Sequence, residues 1–201
     1  MTGTFETRDK IEEKVIKMYS YGSSVYGTET EKSDFDFIVV VESKDKYTYS
    51  VSKDGADYTV YTEPLFREMI QEHYVHILEC IFQSLDDSYL TYFELDLEKL
   101  RRQYSGVTSN SYVKCKKKIR DGEEYIGLKS MFHSIRLLEF AIQIAKHGRI
   151  VDYSSANRYL GTIMTIGADW DTLDSIFRPI YNSLKSELRL LAPLEKDKEK
   201  L

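Results

Sequence analysis

Residues 22–41, GSSVYGTETEKSDFDFIVVV, constrain this chain more than any other segment. The end of that run, residues 34–42 (DFDFIVVVE), alternates at first and then becomes continuously apolar, the pattern of a strand covered on both faces. On such a strand Asp34 and Asp36, two apart, point to the same face. Two carboxylates held that closely repel each other unless a cation sits between them. Hard divalent ions such as Mg²⁺ prefer oxygen ligands of this kind. Upstream, residues 15–21 predict a strand that runs directly into Gly22-Ser23. A glycine there lets the backbone approach a ligand, and successive backbone N–H groups with a hydroxyl can hold phosphate oxygens. Asp-x-Asp alone is common on exposed strands. The specific signal is the whole order: strand, Gly-Ser, loop, Asp-x-Asp, apolar strand.

The rest of the first half reads as α/β. Residues 7–14 predict a short helix. Residues 47–52 and Ala56–Thr62, rich in Tyr, Val and Thr, flank Lys53-Asp54-Gly55 and predict a hairpin. Pro64 opens a helical stretch in which Leu65, Met69, Ile70, Ile77, Leu78, Ile81 and Phe82 fall at helical spacings. The second half reads as all-helical. A basic helix is predicted over 109–120, ended by Asp121-Gly122, and a long apolar-faced one over 128–147, ended by Gly148. Two more follow over 155–166 and Trp170–Leu191, the last interrupted or kinked at Pro179. The final EKDKEKL reads as a solvated tail. The expected fold class is α/β (α+β), a mixed sheet with helices followed by an all-helical domain. The expected division is 1–104 and 105–201, with the boundary near 101–110.

Composition narrows the class. With 201 residues, 42% hydrophobic, the chain suits one or two compact domains. No apolar run approaches the roughly 20 residues of a membrane span, and the charged N-terminus does not read as a secretory signal. Cys80 and Cys115 are too few and too far apart for a disulfide framework or a zinc knuckle, which fits a reducing cytoplasmic setting. Residues 1–100 carry 10 Lys/Arg against 21 Asp/Glu, a balance of −11, whereas residues 101–201 carry 18 against 12, a balance of +6. A nucleic-acid coat protein would be basic throughout. An acidic half and a basic half suit a metal site beside a polyphosphate site, or two differently charged solvated surfaces.

The Gly-Ser to Asp-x-Asp pattern resembles the DNA polymerase β-type nucleotidyltransferase superfamily. The run Tyr21-Gly22-Ser23-x-x-Tyr26-Gly27-Thr28-x-Thr30-x-x-Ser33-Asp34-x-Asp36, then Asp57-x-x-x-Tyr61 and a helix ending near Glu79-Cys80-Ile81-Phe82, is similar to the predicted nucleotidyltransferases associated with RNA ligases in bacteria and phages. Lys129-x-x-x-His133-x-x-Arg136 with His147-Gly148 extends the likeness to about residue 150, while the tail from Trp170 matches nothing recognised. The resemblance implies that Asp34, Asp36 and a third acid bind two Mg²⁺ ions, with Mn²⁺ as a substitute. Asp57 is the natural third acid, with Asp54 and Glu63 as runners-up. It implies that Gly22 and Ser23 hold the triphosphate of an NTP, and that an NMP moves to an acceptor hydroxyl with release of pyrophosphate. An RNA end is one acceptor; a protein, as in toxin–antitoxin pairs, is another. A silent nucleotide- or RNA-binding module on the same fold is the non-enzymatic alternative. No Gly-x-x-x-x-Gly-Lys loop is present, which argues against a P-loop NTPase.

Lys129, His133 and Arg136 lie within about 60° of one another on a helix, a stripe that Gln143 and His147 continue. Such a stripe is either a solvated face or, as the resemblance implies, a nucleotide-binding one with Lys129 and Arg136 on phosphates. Lys114, Lys116, Lys117, Lys118 and Arg120 read either as a charged solvent face or as a path for RNA, with Tyr104, Tyr112 and Tyr125 as stacking surfaces. His73 and His76 read as helix-surface residues and Cys80 as packing. Cys115 beside lysines has a motive for a lowered thiol pKa.

Overall fold

The computed structural model describes residues 4–6, 12–31 and 33–195. In chain order the first half contains β1 (Thr4–Glu6), β2 (Glu12–Tyr21), α1 (Ser23–Tyr26), β3 (Phe35–Val41), β4 (Thr48–Lys53), β5 (Ala56–Thr62), α2 (Glu63–Gln71), α3 (Val75–Ile81) and a 3-10 turn at Ser88–Tyr92. The strands form one mixed sheet in the order β1-β2-β3-β5-β4. Asp54 and Gly55, both with positive φ, close the β4–β5 hairpin, which returns β5 parallel to β3 and between β3 and β4.

The register sorts the sheet into two faces. On one, Tyr19, Ile38, Val40 and Tyr61 lie beneath α2 and α3, with the Tyr19 ring stacked on Phe66 at 5.8 Å. On the other, buried Val39, Val41 and Val60 are packed by Val15, Phe37, Tyr49 and Tyr58, and Phe37 stacks on Tyr58 at 5.3 Å. This two-sided burial is why residues 38–41 are apolar without alternation.

Two local expectations change. The helix expected over 7–14 meets strand at Glu12–Lys14, its earlier residues lying outside those described. Lys14 accepts the Glu42 N–H at 2.9 Å, and the buried Glu13 carboxylate takes the hydroxyls of Tyr47 and Tyr49, so sheet pairing overrides the helical look of IEEK. The stretch after Pro64 splits into α2 and α3 at His73, whose φ is 59°. His73 is buried against Phe93 and His76 bonds the Tyr61 hydroxyl at 3.0 Å, so neither is a surface residue.

The second half holds α4 (Leu97–Arg120), α5 (Glu124–His147), α6 (Asn157–Ile166) and α7 (Trp170–Leu191). Asp96 caps α4 by accepting from the N–H groups of Glu98 and Lys99, and Asp169 caps α7 in the same way through Asp171 and Thr172. Helix α7 is continuous through Pro179. Helices α4 and α5 form an antiparallel hairpin so tight at Gly127 that a Cβ there would lie 2.7 Å from the Ile119 side chain. The chain divides into compact units 1–94 and 95–201, so the expected division at 104/105 falls within α4. Among the described residues no helix is long and apolar enough to cross a membrane.

Candidate functional site

In the first unit the candidate site lies where β2 ends and β3 and β5 begin. Tyr21 pairs with Asp36, and Asp36 pairs directly with Asp57 across the parallel β3–β5 ladder. Paired residues on neighbouring strands share a face, and the strands lie about 4.8 Å apart. Asp36 and Asp57 therefore project side by side from one end of the sheet. Asp34 is exposed and precedes the first residue of β3, so it sits at the lip of the strand rather than within it.

Gly22 makes the turn that faces these acids. Its φ of 78° and ψ of −149° lie where only glycine is at ease, and a Cβ there would run into Asp36 Oδ2. Backbone and carboxylate are thus in direct apposition. Ser23 then opens the single turn α1, in which the Val25 N–H donates to Gly22 O at 3.1 Å and the Thr28 N–H to Ser23 O at 3.0 Å.

The carboxylates are oxygen donors of the right chemistry for a hard divalent cation. They are not drawn into a closed cage: among the described residues no three His, Cys, Asp or Glu side chains form a metal-binding cluster. Asp57 is exposed, and its Oδ1 takes a hydrogen bond from Ser52 Oγ, its register partner on β4. No motif singles out Ser52, although the hairpin turn at Asp54-Gly55 already sets it opposite Asp57. The runners-up separate by position: Asp54 is in that turn, and Glu63 starts α2 and pairs with Arg67.

In the second unit, α5 carries Lys129, His133 and Arg136 as a graded series. Lys129 is exposed, its Nζ 5.3 Å from the centre of the Tyr125 ring. Arg136 is only 7% exposed and lies against the Phe132 and Phe140 rings at 5.7 and 5.8 Å. Its Nη2 donates to His133 Nδ1 at 2.8 Å, which places the imidazole proton on Nε2. Burial, reinforced by the positive charges of Arg136 and Lys114, lowers the His133 pKa to about 3. Gln143, further along the stripe, is a structural clamp: its Oε1 accepts the N–H groups of Val151 and Asp152, both at 2.8 Å.

The His133 shift carries a pH consequence. In the unfolded chain histidine takes its proton near pH ~6.5. The folded state refuses it until about pH 3, so protons favour unfolding and stability falls as pH drops through that window. The His133 ring resonances are expected to stay flat from pH 8 to 4 in an NMR titration. A midpoint near 6.5 would mean that the imidazole is solvated and unbound to Arg136.

The basic residues of α4 spread round the helix. Lys114, Lys116, Lys117 and Arg120 are exposed, while Lys118 is half-buried and pairs with Glu123 at 2.6 Å. Lys116 sits over the Trp170 ring at 5.5 Å. Of the three tyrosines, only Tyr125 is open, at 57% exposure; Tyr104 is fully buried, and Tyr112 is buried and bonded to Asp174 at 2.8 Å. Cys115 faces the α4–α5 packing, where burial pushes its thiol up to about 12, the reverse of activation by its lysine neighbours.

A mixed sheet whose Gly-Ser bend abuts Asp-x-Asp, followed by a helical region, is a nucleotidyltransferase fold. Residues 5–125 match the family described as Nucleotidyltransferase domain, and the chain belongs to that family. Among solved structures, a nucleotidyltransferase-like protein from Exiguobacterium sibiricum 255-15 is similar at 10% identity and a TM-score of 0.35, over 88% of this chain and 69% of that one. No curated protein is similar enough to count as a relative.

Proposed function

We propose that this chain moves an NMP from an NTP to an acceptor hydroxyl and releases pyrophosphate. One observation carries the reading: Asp36 and Asp57 stand opposite each other on parallel strands, with the Gly22 backbone against Asp36. Asp34, Asp36 and Asp57 would hold two Mg²⁺ ions, which when bound supply charge neutralisation at the transferring phosphate. Gly22 and Ser23 offer backbone and hydroxyl to the triphosphate. Asp57, whose carboxylate already accepts from a hydroxyl, is suited to take the proton of the acceptor's hydroxyl. In the second unit, Lys129 is the exposed member of the α5 series. Arg136 there orients His133, whose Nε2–H remains a donor.

For the acceptor, the exposed face of α4 favours RNA of the kind handled in end repair. Arg102, Lys114, Lys116, Lys117 and Arg120 are exposed on it, residues 101–120 hold no acid, and Tyr125 is exposed close by in sequence. The test offers each labelled NTP with Mg²⁺ to an RNA oligonucleotide and, separately, to protein. Labelled RNA with pyrophosphate release supports the reading, labelled protein moves it to the protein-modifying alternative, and NTP binding without turnover reduces the chain to a silent module. With RNA as acceptor, the double charge reversal Lys117→Glu/Arg120→Glu is expected to raise the KM for RNA about tenfold and leave that for NTP unchanged. The dependence of log KM on log salt should flatten by about 0.7 for each RNA phosphate that is no longer neutralised. Equal changes for both substrates would remove α4 from the acceptor path.

A further inference from the structure

The bend that faces Asp36 is a single helical turn, too short to hold its shape alone. Helix α3 and the turn that ends it grip the chain on either side of it. Glu79 is 0% exposed, and its carboxylate accepts a hydrogen bond from the hydroxyl of Tyr26, the buried last residue of α1. Gln83, four residues on, donates through Nε2 to the carbonyl of Ser20 at 2.8 Å. The Tyr21 ring meets the Tyr26 ring edge-on at 6.4 Å, and Tyr21 is the register partner of Asp36. Burying a carboxylate is costly, and an apolar residue would pack more cheaply in the run Ile77-Leu78-Glu79-Cys80-Ile81. What the carboxylate adds is a fixed anchor point for one phenol.

We infer that Glu79 and Gln83 are positioning residues that clamp the Gly22–Ser23 bend from both sides and hold it at its spacing from Asp36. Neither touches the reacting atoms. The inference rests on the nucleotidyl-transfer reading for its consequence, though not for the clamp itself. When the clamp loosens, the bend samples other arrangements, and triphosphate binding weakens by the fraction of time it is misplaced.

The experiment uses the full chain with Tyr26→Phe, Gln83→Ala, Glu79→Ala and Glu79→Gln, and two readouts. Amide hydrogen exchange without nucleotide, read on a peptide covering residues 22–28, is expected to speed up about tenfold in Tyr26→Phe, which lacks one buried hydrogen bond. Peptides from β3 and β5 should not change. In transfer assays the same variant is expected to raise the KM for NTP about tenfold with kcat within twofold. Glu79→Gln, which keeps an acceptor for the phenol, should restore most of both effects relative to Glu79→Ala. Gln83 is exposed, so Gln83→Ala keeps the question answerable if Glu79→Ala does not fold. Unchanged exchange at 22–28 in both Tyr26→Phe and Gln83→Ala would overturn the clamp. A wild-type chain that transfers nothing would overturn the transfer reading alone, because the exchange arm stands without it.

Discussion

Asp36→Asn is expected to leave a folded protein whose transfer rate has fallen about 10³-fold, the upper range for loss of one group that stabilises charge at a reacting centre. The side chain is half-exposed at a strand end, so the amide keeps the volume and leaves the apolar run behind it untouched. Only the charge is removed, at the position flanked by Gly22 on one side and Asp57 on the other. The melting temperature should stay within a few degrees of wild type while pyrophosphate release falls to background. Asp57→Asn should follow it, because in the proposed mechanism the two carboxylates serve one centre, and the double variant should be little worse than either single one. Glu29→Gln tests whether general acidity suffices: Glu29 is an exposed acid in the connecting loop, and its loss should change the rate less than twofold. A fully active Asp36→Asn chain would remove the acid pair from the chemistry.

The two members of the acid pair are legible in the sequence because each stands at the head of a locally announced strand. Asp-x-Asp sits at the head of an apolar strand and Asp57 at the head of the strand that follows the Asp54-Gly55 turn, while the parallel β3–β5 pairing that sets Asp57 beside Asp36 is not written in either segment. Where the sequence misleads, the deciding partner is distant. Residues 12–14 look helical, yet Tyr47 and Tyr49 reach Glu13 from more than 30 residues away. Helix α4 begins at Leu97, well before the basic run that announces it, because Asp96 caps it there. Arg136 looks like one of three surface charges on a polar stripe, and only the placement of Phe132 and Phe140 shows it buried. Glu79 does leave a signal, an acid inside an apolar helical run, but its phenol partner lies 53 residues earlier. Periodicity shows which face a residue occupies and not which distant side chain completes it.

Gly22→Ala is expected to lose both stability and activity, and Gly55→Ala is the comparison at positive φ with no steric obstacle. Both glycines have φ of 78°, but the ψ of −149° puts Gly22 in a region that L-residues avoid, so its dihedral cost, about 1–3 kcal/mol, comes on top of any steric one. A Cβ at Gly55 meets nothing within 4 Å, whereas at Gly22 it meets Asp36 Oδ2 and, at 3.2 and 3.3 Å, Asp36 Cγ and Cβ. Gly55→Ala should therefore shift the denaturation midpoint modestly and leave transfer near wild type. Gly22→Ala must displace either the bend or the carboxylate, and each is part of the proposed centre. Its rate should fall at least 100-fold, with about 1–3 kcal/mol of stability lost to strain. Adding Asp36→Ala removes the obstructing side chain. If steric contact contributes, the double variant should recover part of the lost stability, a non-additivity that a purely dihedral penalty does not give. It should remain inactive, since relief comes from deleting the acid itself. Equal stability losses for Gly22→Ala with and without Asp36 would show that the bend and the carboxylate are not in contact.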